Sequence, residues 1–157
     1  INGGTRYNIV ADEVELDGTV RTFDPATRKM LSEKIASIVE GTVQGMGGTC
    51  KVNYRRGYPS VMNDPEITST VSRSIDKVVG KEGLFKIDKP NLGGEDFAFF
   101  AEKVPSAFVW VGCRPENIPA EDFPKLHNNS FLPDENALPI GVRYLCQAAL
   151  DTLEEVK

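Results

Sequence analysis

A single histidine occurs in this 157-residue chain, His127, in the run "PKLHNNSF". Imidazole titrates near neutrality and is the commonest metal-binding side chain, so its chemistry is that of a metal ligand or a base. The plain alternative is a solvated loop histidine without a role. Its position favours work, because the loop follows a strongly apolar run, and open α/β sheets place their ligands just beyond such strands. One imidazole cannot hold a metal alone. A catalytic zinc takes about three protein ligands, and the sequence contains no H-x-x-x-H or H-E-x-x-H spacing. The second candidate is "LGGEDFAFF", in which Gly93 and Gly94 let the backbone turn sharply and approach a neighbouring group. Gly93 and Gly94 would then shape the wall of an active site. Otherwise, Glu95 and Asp96 merely open a short helix that turns Phe97, Phe100 and Ala101 to the core, acidic residues being favoured at a helix start. The third candidate is the pair Asn8 and Arg21, which flank a strand-like stretch. Arg21 either pairs with Glu15 or Asp17 at the surface or clamps a carboxylate substrate through two parallel hydrogen bonds.

The elements that must position these groups follow from periodicity and punctuation. Residues 7–22 alternate, with Val14, Leu16, Gly18 and Val20 against Glu15, Asp17, Thr19 and Arg21, which predicts a strand with one buried face. Asp24 and Pro25 then start a helix, with Leu31, Ile35, Ile38, Val39, Thr42 and Met46 as its apolar stripe and Gly47–Gly48 as its stop. A second strand is expected over "TCKVNYRRGY". This strand–helix–strand order has the form of half a ferredoxin-like sandwich. Beyond "GYPSVMND", Asn63 or Asp64 caps a helix with Pro65 in its first turn. Ile67, Val71, Ile75, Val78 and Val79 form its apolar face, and Gly80 ends it. "SAFVWVG" is continuously apolar, as for a parallel strand covered on both faces. A last helix, about 135–156, carries Val142, Leu145, Ala149, Leu153 and Val156 on one side, with Pro139 tolerated only in the first turn. The fold class is α/β with an α+β portion, divided into two units at "GYPSVMND", around residues 58–64.

Composition narrows the function. Hydrophobic residues make up 40% and charged residues 26%, the balance of a globular protein able to bury a core. A net charge of -5 argues against nucleic acid as the main partner, which would need a concentrated basic face. No apolar run is long enough for a membrane span and nothing has the form of a secretion signal. The opening "INGGTRYNIV" enters directly into strand-like sequence, so an upstream portion is expected to be missing. Cys50, Cys113 and Cys146 are widely spaced and odd in number, with no C-x-x-C pair, which argues against a thiolate zinc site. Cys113 and Cys146 read as buried small hydrophobes, and free thiols suit the cytosol. P-loop, dinucleotide-binding and nucleophile-elbow signatures are absent.

Five stretches in order, "GGTRYNIVADEVELDGTVRTFD", "YRRGYPSVMND", "LGGEDFAFF", "LHNNSF" and "DENALPIGV", resemble the C-terminal part of the cocatalytic metallo-amidohydrolases. That family includes aminoacylases, hippurate hydrolases and auxin–amino-acid conjugate hydrolases. The resemblance spans essentially the whole chain. It implies an enzyme with a catalytic α/β domain holding two divalent metal ions (zinc, manganese, nickel or cobalt) and an inserted ferredoxin-like lid that dimerises. Residues 1–61 would be the later part of the lid and 62–157 the C-terminal section of the catalytic domain. It further implies His127 as a metal ligand, Asn8 and Arg21 as contacts to the substrate carboxylate or oxyanion, and Gly93, Gly94 and Glu95 as pocket wall. The family's His-x-Cys-Gly-His-Asp motif, its paired glutamates and its lid histidine are absent from this sequence. The chain therefore carries no catalytic base, and by itself it is expected neither to bind both metals nor to hydrolyse an N-acyl amino acid. From another class comes the alternative of a non-catalytic dimerisation module joined through an exposed strand edge.

Overall fold

A computed structural model describes residues 1–155, in two compact units, Ile1–Ser60 and Val61–Lys157. In the first unit, β1 (Asn2–Gly3) and β2 (Val14–Glu15) form a two-stranded antiparallel ladder with Asn2 opposite Glu15 and Gly3 opposite Val14. The long strands expected over 7–22 and "TCKVNYRRGY" are not formed, and Val14, Leu16 and Val20 are exposed rather than buried on one face. A strand is defined by the partner that takes its hydrogen bonds, and along most of these stretches no partner lies among the described residues.

Helix α1 (Pro25–Gly45) starts where local chemistry puts it. Asp24 accepts hydrogen bonds from the Thr27 amide at 2.6 Å and its hydroxyl at 2.7 Å, and these bonds hold the Asp24 carboxyl below its ordinary value. At the other end Gly47 adopts φ 79°, the Gly48 amide donates to Val43 at 2.9 Å and the Gly47 amide to Gln44 at 3.0 Å. That is the Schellman stop, which demands a left-handed residue and so favours glycine. Arg28 donates to the Gly57 carbonyl, and the Ser60 hydroxyl donates to Thr22 and Phe23, tying the returning segment 57–60 to the start of α1. No residue of α1 is fully buried.

In the second unit, α2 (Pro65–Val79) begins on Asp64, which accepts from the amides of Glu66 at 2.9 Å and Ile67 at 3.0 Å. It ends at Gly80, φ 73°. A single 3₁₀ turn, Lys81–Gly83, follows. The short helix α3 is Ala98–Ala101, and α4 runs Ala137–Glu155, with Pro139 in its first turn where no amide is needed. Val156, expected on the α4 stripe, lies outside the described residues.

Helices α2 and α4 pack together; of the stripe predicted for α2, Val71 is buried and Ile67, Ile75, Val78 and Val79 are half-buried, but α4 does not use the face that periodicity predicts. Ser74 is fully buried and donates to Asp151 at 2.6 Å, Lys77 donates to the other Asp151 oxygen at 2.6 Å, and Gln147 to the same oxygen at 2.8 Å. One and two turns away, Thr70 donates to Glu155 at 2.7 Å and Arg73 pairs with Glu155. The seam is polar. Lys77 first, then Ser74 and Gln147, hold the Asp151 carboxyl down at about 2, and Thr70 does the same in direction for Glu155. Val142, Leu145 and Leu153 of α4 point to solvent instead. The Cys146 side chain is exposed and that of Cys113 is half-buried, so neither is the buried hydrophobe expected. The buried apolar residues among those described are Val71 and Ala98.

The run "SAFVWVG" is extended but has no strand partner among the described residues. It is docked end-on to α2. The Asp64 amide donates to Ser106 at 2.8 Å, while the Asn63 side chain both donates to the Phe108 carbonyl and accepts from its amide at 2.9 Å each. Asn63 thus does not cap α2. It replaces one rung of a β-ladder with a side-chain amide.

Candidate functional site

His127 occupies the tip of the loop after the apolar run, and its imidazole is exposed. It has φ 65°, the one non-glycine residue in the left-handed region among those described. For an L-residue that conformation costs about 1–2 kcal/mol, so the surrounding loop must impose it. Asn128 supplies the constraint. Its side chain accepts from the Ser130 amide at 2.8 Å and its carbonyl from the Phe131 amide at 3.0 Å, closing a turn directly after the histidine. The rings of Phe123 and Phe131 meet at 5.4 Å, joining the two arms of the loop below its tip. The outcome is a solvent-facing imidazole on a braced turn.

Gly93 and Gly94 are exposed, and the Gly93 amide donates to the Asn91 side chain at 2.7 Å. Neither adopts positive φ, so this turn does not require the freedom that glycine provides. A Cβ on Gly93 would meet the Asn91 Oδ1 at 3.2 Å, a close approach but not a forbidden one. Half-buried Glu95 accepts from the Phe97 amide at 3.2 Å, and its carbonyl from the Ala98 amide at 3.3 Å, so it does the work of opening α3. The helix starts three residues later than expected, at Ala98, which is completely buried. Phe97 is half-buried but Phe100 faces solvent, contrary to its expected core position. Phe97 contacts Phe100 at 6.2 Å and Phe108 at 5.5 Å, and Phe108 meets Trp110 edge-on at 5.5 Å, a row of four rings linking the glycine turn to the extended run.

Asn8 and Arg21 belong to the first unit and both are exposed. Asn8 sits in a turn closed by the Ile9 amide on the Arg6 carbonyl at 3.4 Å, not on a strand. A cleft of about 580 Å³ lies at the start of α4, lined by Cys113, Arg114, Asn117, Asp134, Asn136 and Ile140 among others. Neither His127 nor the glycine turn lines it. The polar seam around Asp151 was the feature that stripe-reading missed. Its signal was present as Thr70, Ser74 and Lys77 on α2 and Gln147, Asp151 and Glu155 on α4, each set at helical spacing.

Among the described residues, no three His, Cys, Asp or Glu side chains come together as a metal site. A two-metal centre therefore does not fit the described residues of this chain alone. What the chain presents is a single candidate ligand.

An extended apolar run flanked by helices, with the chemistry-bearing side chains on its loops, has the build of part of an α/β enzyme. The comparisons place it further. The description "Peptidase family M20/M25/M40" matches residues 3–151, and the chain belongs to that family. A probable hydrolase, sll0100, of Synechocystis is 38% identical over 95% of this chain and 37% of its own length. An N-acetylcysteine deacetylase of Bacillus subtilis is 31% identical over 100% of this chain and 39% of that protein. Among solved structures, the Bacillus subtilis YXEP protein, described as a dinuclear metal-binding peptidase of the M20 family, superposes with a TM-score of 0.73 at 30% identity. It matches 98% of this chain and 40% of that one. The chain spans about two-fifths of the length of these relatives. No helix among the described residues is long and apolar enough to cross a membrane.

Proposed function

We propose that this chain is the C-terminal part of a metal-dependent amidohydrolase that cleaves the amide bond of N-acyl amino acids. The observation that carries this reading is the family match over residues 3–151, with deacetylases among the relatives. His127 contributes one ligand to a two-metal centre, and its braced, exposed tip suits an imidazole that meets partners on other polypeptide. The remaining ligands and the general base come from the three-fifths of the fold that the relatives have and this chain does not contain. Asn8 and Arg21 bind the substrate's carboxylate or developing oxyanion from a ferredoxin-like lid, residues 1–61, through which two copies dimerise. Gly93, Gly94 and Glu95 border the pocket in the catalytic section, 62–157. His127 would hold one of the two metals, which when bound would lower the pKa of a water and polarise the scissile carbonyl.

The test compares the 157-residue chain alone with the same chain joined to the rest of an M20 fold, on N-acetyl and N-benzoyl amino acids with zinc or manganese. Hydrolysis only in the joined protein is expected. Hydrolysis by neither would replace this reading with an interaction module. His127→Ala in the joined protein should lower metal content by about one ion per chain in elemental analysis, and unchanged content would refute the ligand role.

A further inference from the structure

The loop that carries His127 is braced on both sides by its own sequence. Before the histidine, the amides of Asp122 and Phe123 donate to the Pro119 carbonyl at 3.1 and 3.2 Å, closing a turn that sets the first arm. After it, the Asn128 side-chain oxygen accepts from the Ser130 amide at 2.8 Å and the Asn128 carbonyl from the Phe131 amide at 3.0 Å. The half-buried rings of Phe123 and Phe131 meet at 5.4 Å and join the two arms. Every one of these contacts lies within residues 119–131. The shape of the loop is therefore a property of this segment and not of what packs around it.

At the apex His127 is held at φ 65°. Reversing the sign of φ swings the Cα–Cβ bond to the other side of the chain, so this angle decides where the imidazole can reach. Among the described residues no hydrogen bond or ion pair orients the ring, and its direction comes from the backbone that carries it. Left-handed backbone is disfavoured for an L-residue by about 5- to 30-fold. Without the turn that Asn128 closes, His127 would present its imidazole in this direction only a minor fraction of the time.

We infer that Asn128 is a positioning residue: by closing the turn after His127 it aims the imidazole before an ion arrives, and the affinity of the ion that His127 takes depends on it. The inference rests on His127 being a metal ligand, as proposed above. Binding to a conformer that is only partly populated weakens the apparent affinity by that fraction, so loss of the turn returns as weaker metal binding. Asparagine suits the task because its side-chain oxygen stands in for the carbonyl of a turn, which an aspartate can also do.

The experiment titrates zinc out of the joined protein with a chelator and counts the ions lost. Asn128→Ala should weaken one ion by about 5- to 30-fold and leave the other unchanged, a split that a general loss of folding would not give. In the metal-free joined protein, hydrogen exchange at the Ser130 and Phe131 amides should be slow in the parent and fast in Asn128→Ala. That readout needs neither metal nor turnover. Asn128→Asp keeps an acceptor for the Ser130 amide and should restore the protection and at least the parent's affinity. Asn129→Ala removes only the acceptor of the Ser130 hydroxyl at 3.3 Å and should change neither. The inference is overturned, with the metal role of His127 left standing, if His127→Ala loses an ion while Asn128→Ala binds both as tightly as the parent. Weakening of both ions together in Asn128→Ala, or equally fast Ser130 exchange in the metal-free parent and variant, overturns it as well. Retention of both ions by His127→Ala removes the metal role itself, and the inference with it.

Discussion

Asn63→Ala tests how the extended run is held. Asn63 makes two reciprocal hydrogen bonds of 2.9 Å to the Phe108 backbone, and these, with the Asp64 amide on Ser106, are what fastens 106–108 to the start of α2. Both bonds are at the surface, so water can replace each one, and the net value of each is about 0.5–1 kcal/mol. Loss of both predicts a destabilisation of about 1–2 kcal/mol. With a urea m-value of ~2 kcal/mol/M, this lowers the unfolding midpoint by about 0.5–1 M. Trp110 is the only tryptophan in the chain and touches Phe108 edge-on at 5.5 Å, which makes its emission a local reporter of the same joint. The expected result is a red-shifted Trp110 emission in the folded baseline together with the lower midpoint. Asn63→Asp keeps the acceptor for the Phe108 amide but sets a carboxylate against its carbonyl, and should be at least as destabilising as alanine. An unchanged midpoint and emission in Asn63→Ala would show that the aromatic row, and not the amide rung, holds the run.

Acid should loosen the α2–α4 seam over a defined window. Asp151 titrates near 2 in the fold against an ordinary 3.8, so its contribution is complete above about 3.8 and disappears as pH falls towards 2; Asp151→Asn should flatten the pH dependence of unfolding in that interval, and an unaltered slope would place the acid sensitivity elsewhere. Gly80 has φ 73° and ψ 169°, a region open essentially to glycine, and a Cβ there would touch nothing within 4 Å. Gly80→Ala should therefore cost about 1–3 kcal/mol from backbone strain alone. Gly57→Ala, at ordinary φ in equally open space, should be neutral or slightly stabilising in the same urea titration. In the joined enzyme, Arg21→Ala should lower kcat/KM on an N-acyl amino acid by about 1.5–3 kcal/mol, or 10- to 150-fold, with folding intact; unchanged kinetics would remove Arg21 from the substrate site.

Helix ends were legible because their causes lie within four residues. Asp24–Pro25 and Asp64–Pro65 open α1 and α2 by capping their own amides, and Gly47 and Gly80 close them because only a left-handed residue fits. The candidate imidazole was legible as a type in a loop, but its left-handed backbone was not, since that depends on Asn128 closing the next turn and on Phe123 reaching Phe131. The exposure of Cys146 and Phe100 was illegible for a related reason: periodicity identifies an apolar face but not whether anything lies against it.

The sequence by itself determined where the helices begin and end, and which few side chains are equipped for chemistry. The tertiary structure decided which face of each helix is used: α2 and α4 join through Ser74, Asp151, Lys77 and Glu155 and leave the leucines of α4 to solvent. It also decided that the β-like stretches do not become strands, beyond the short β1–β2 ladder. The physical reason is the same in both cases. Caps and turns are satisfied by neighbours along the chain, whereas a buried stripe or a sheet rung exists only when a distant segment supplies the other half.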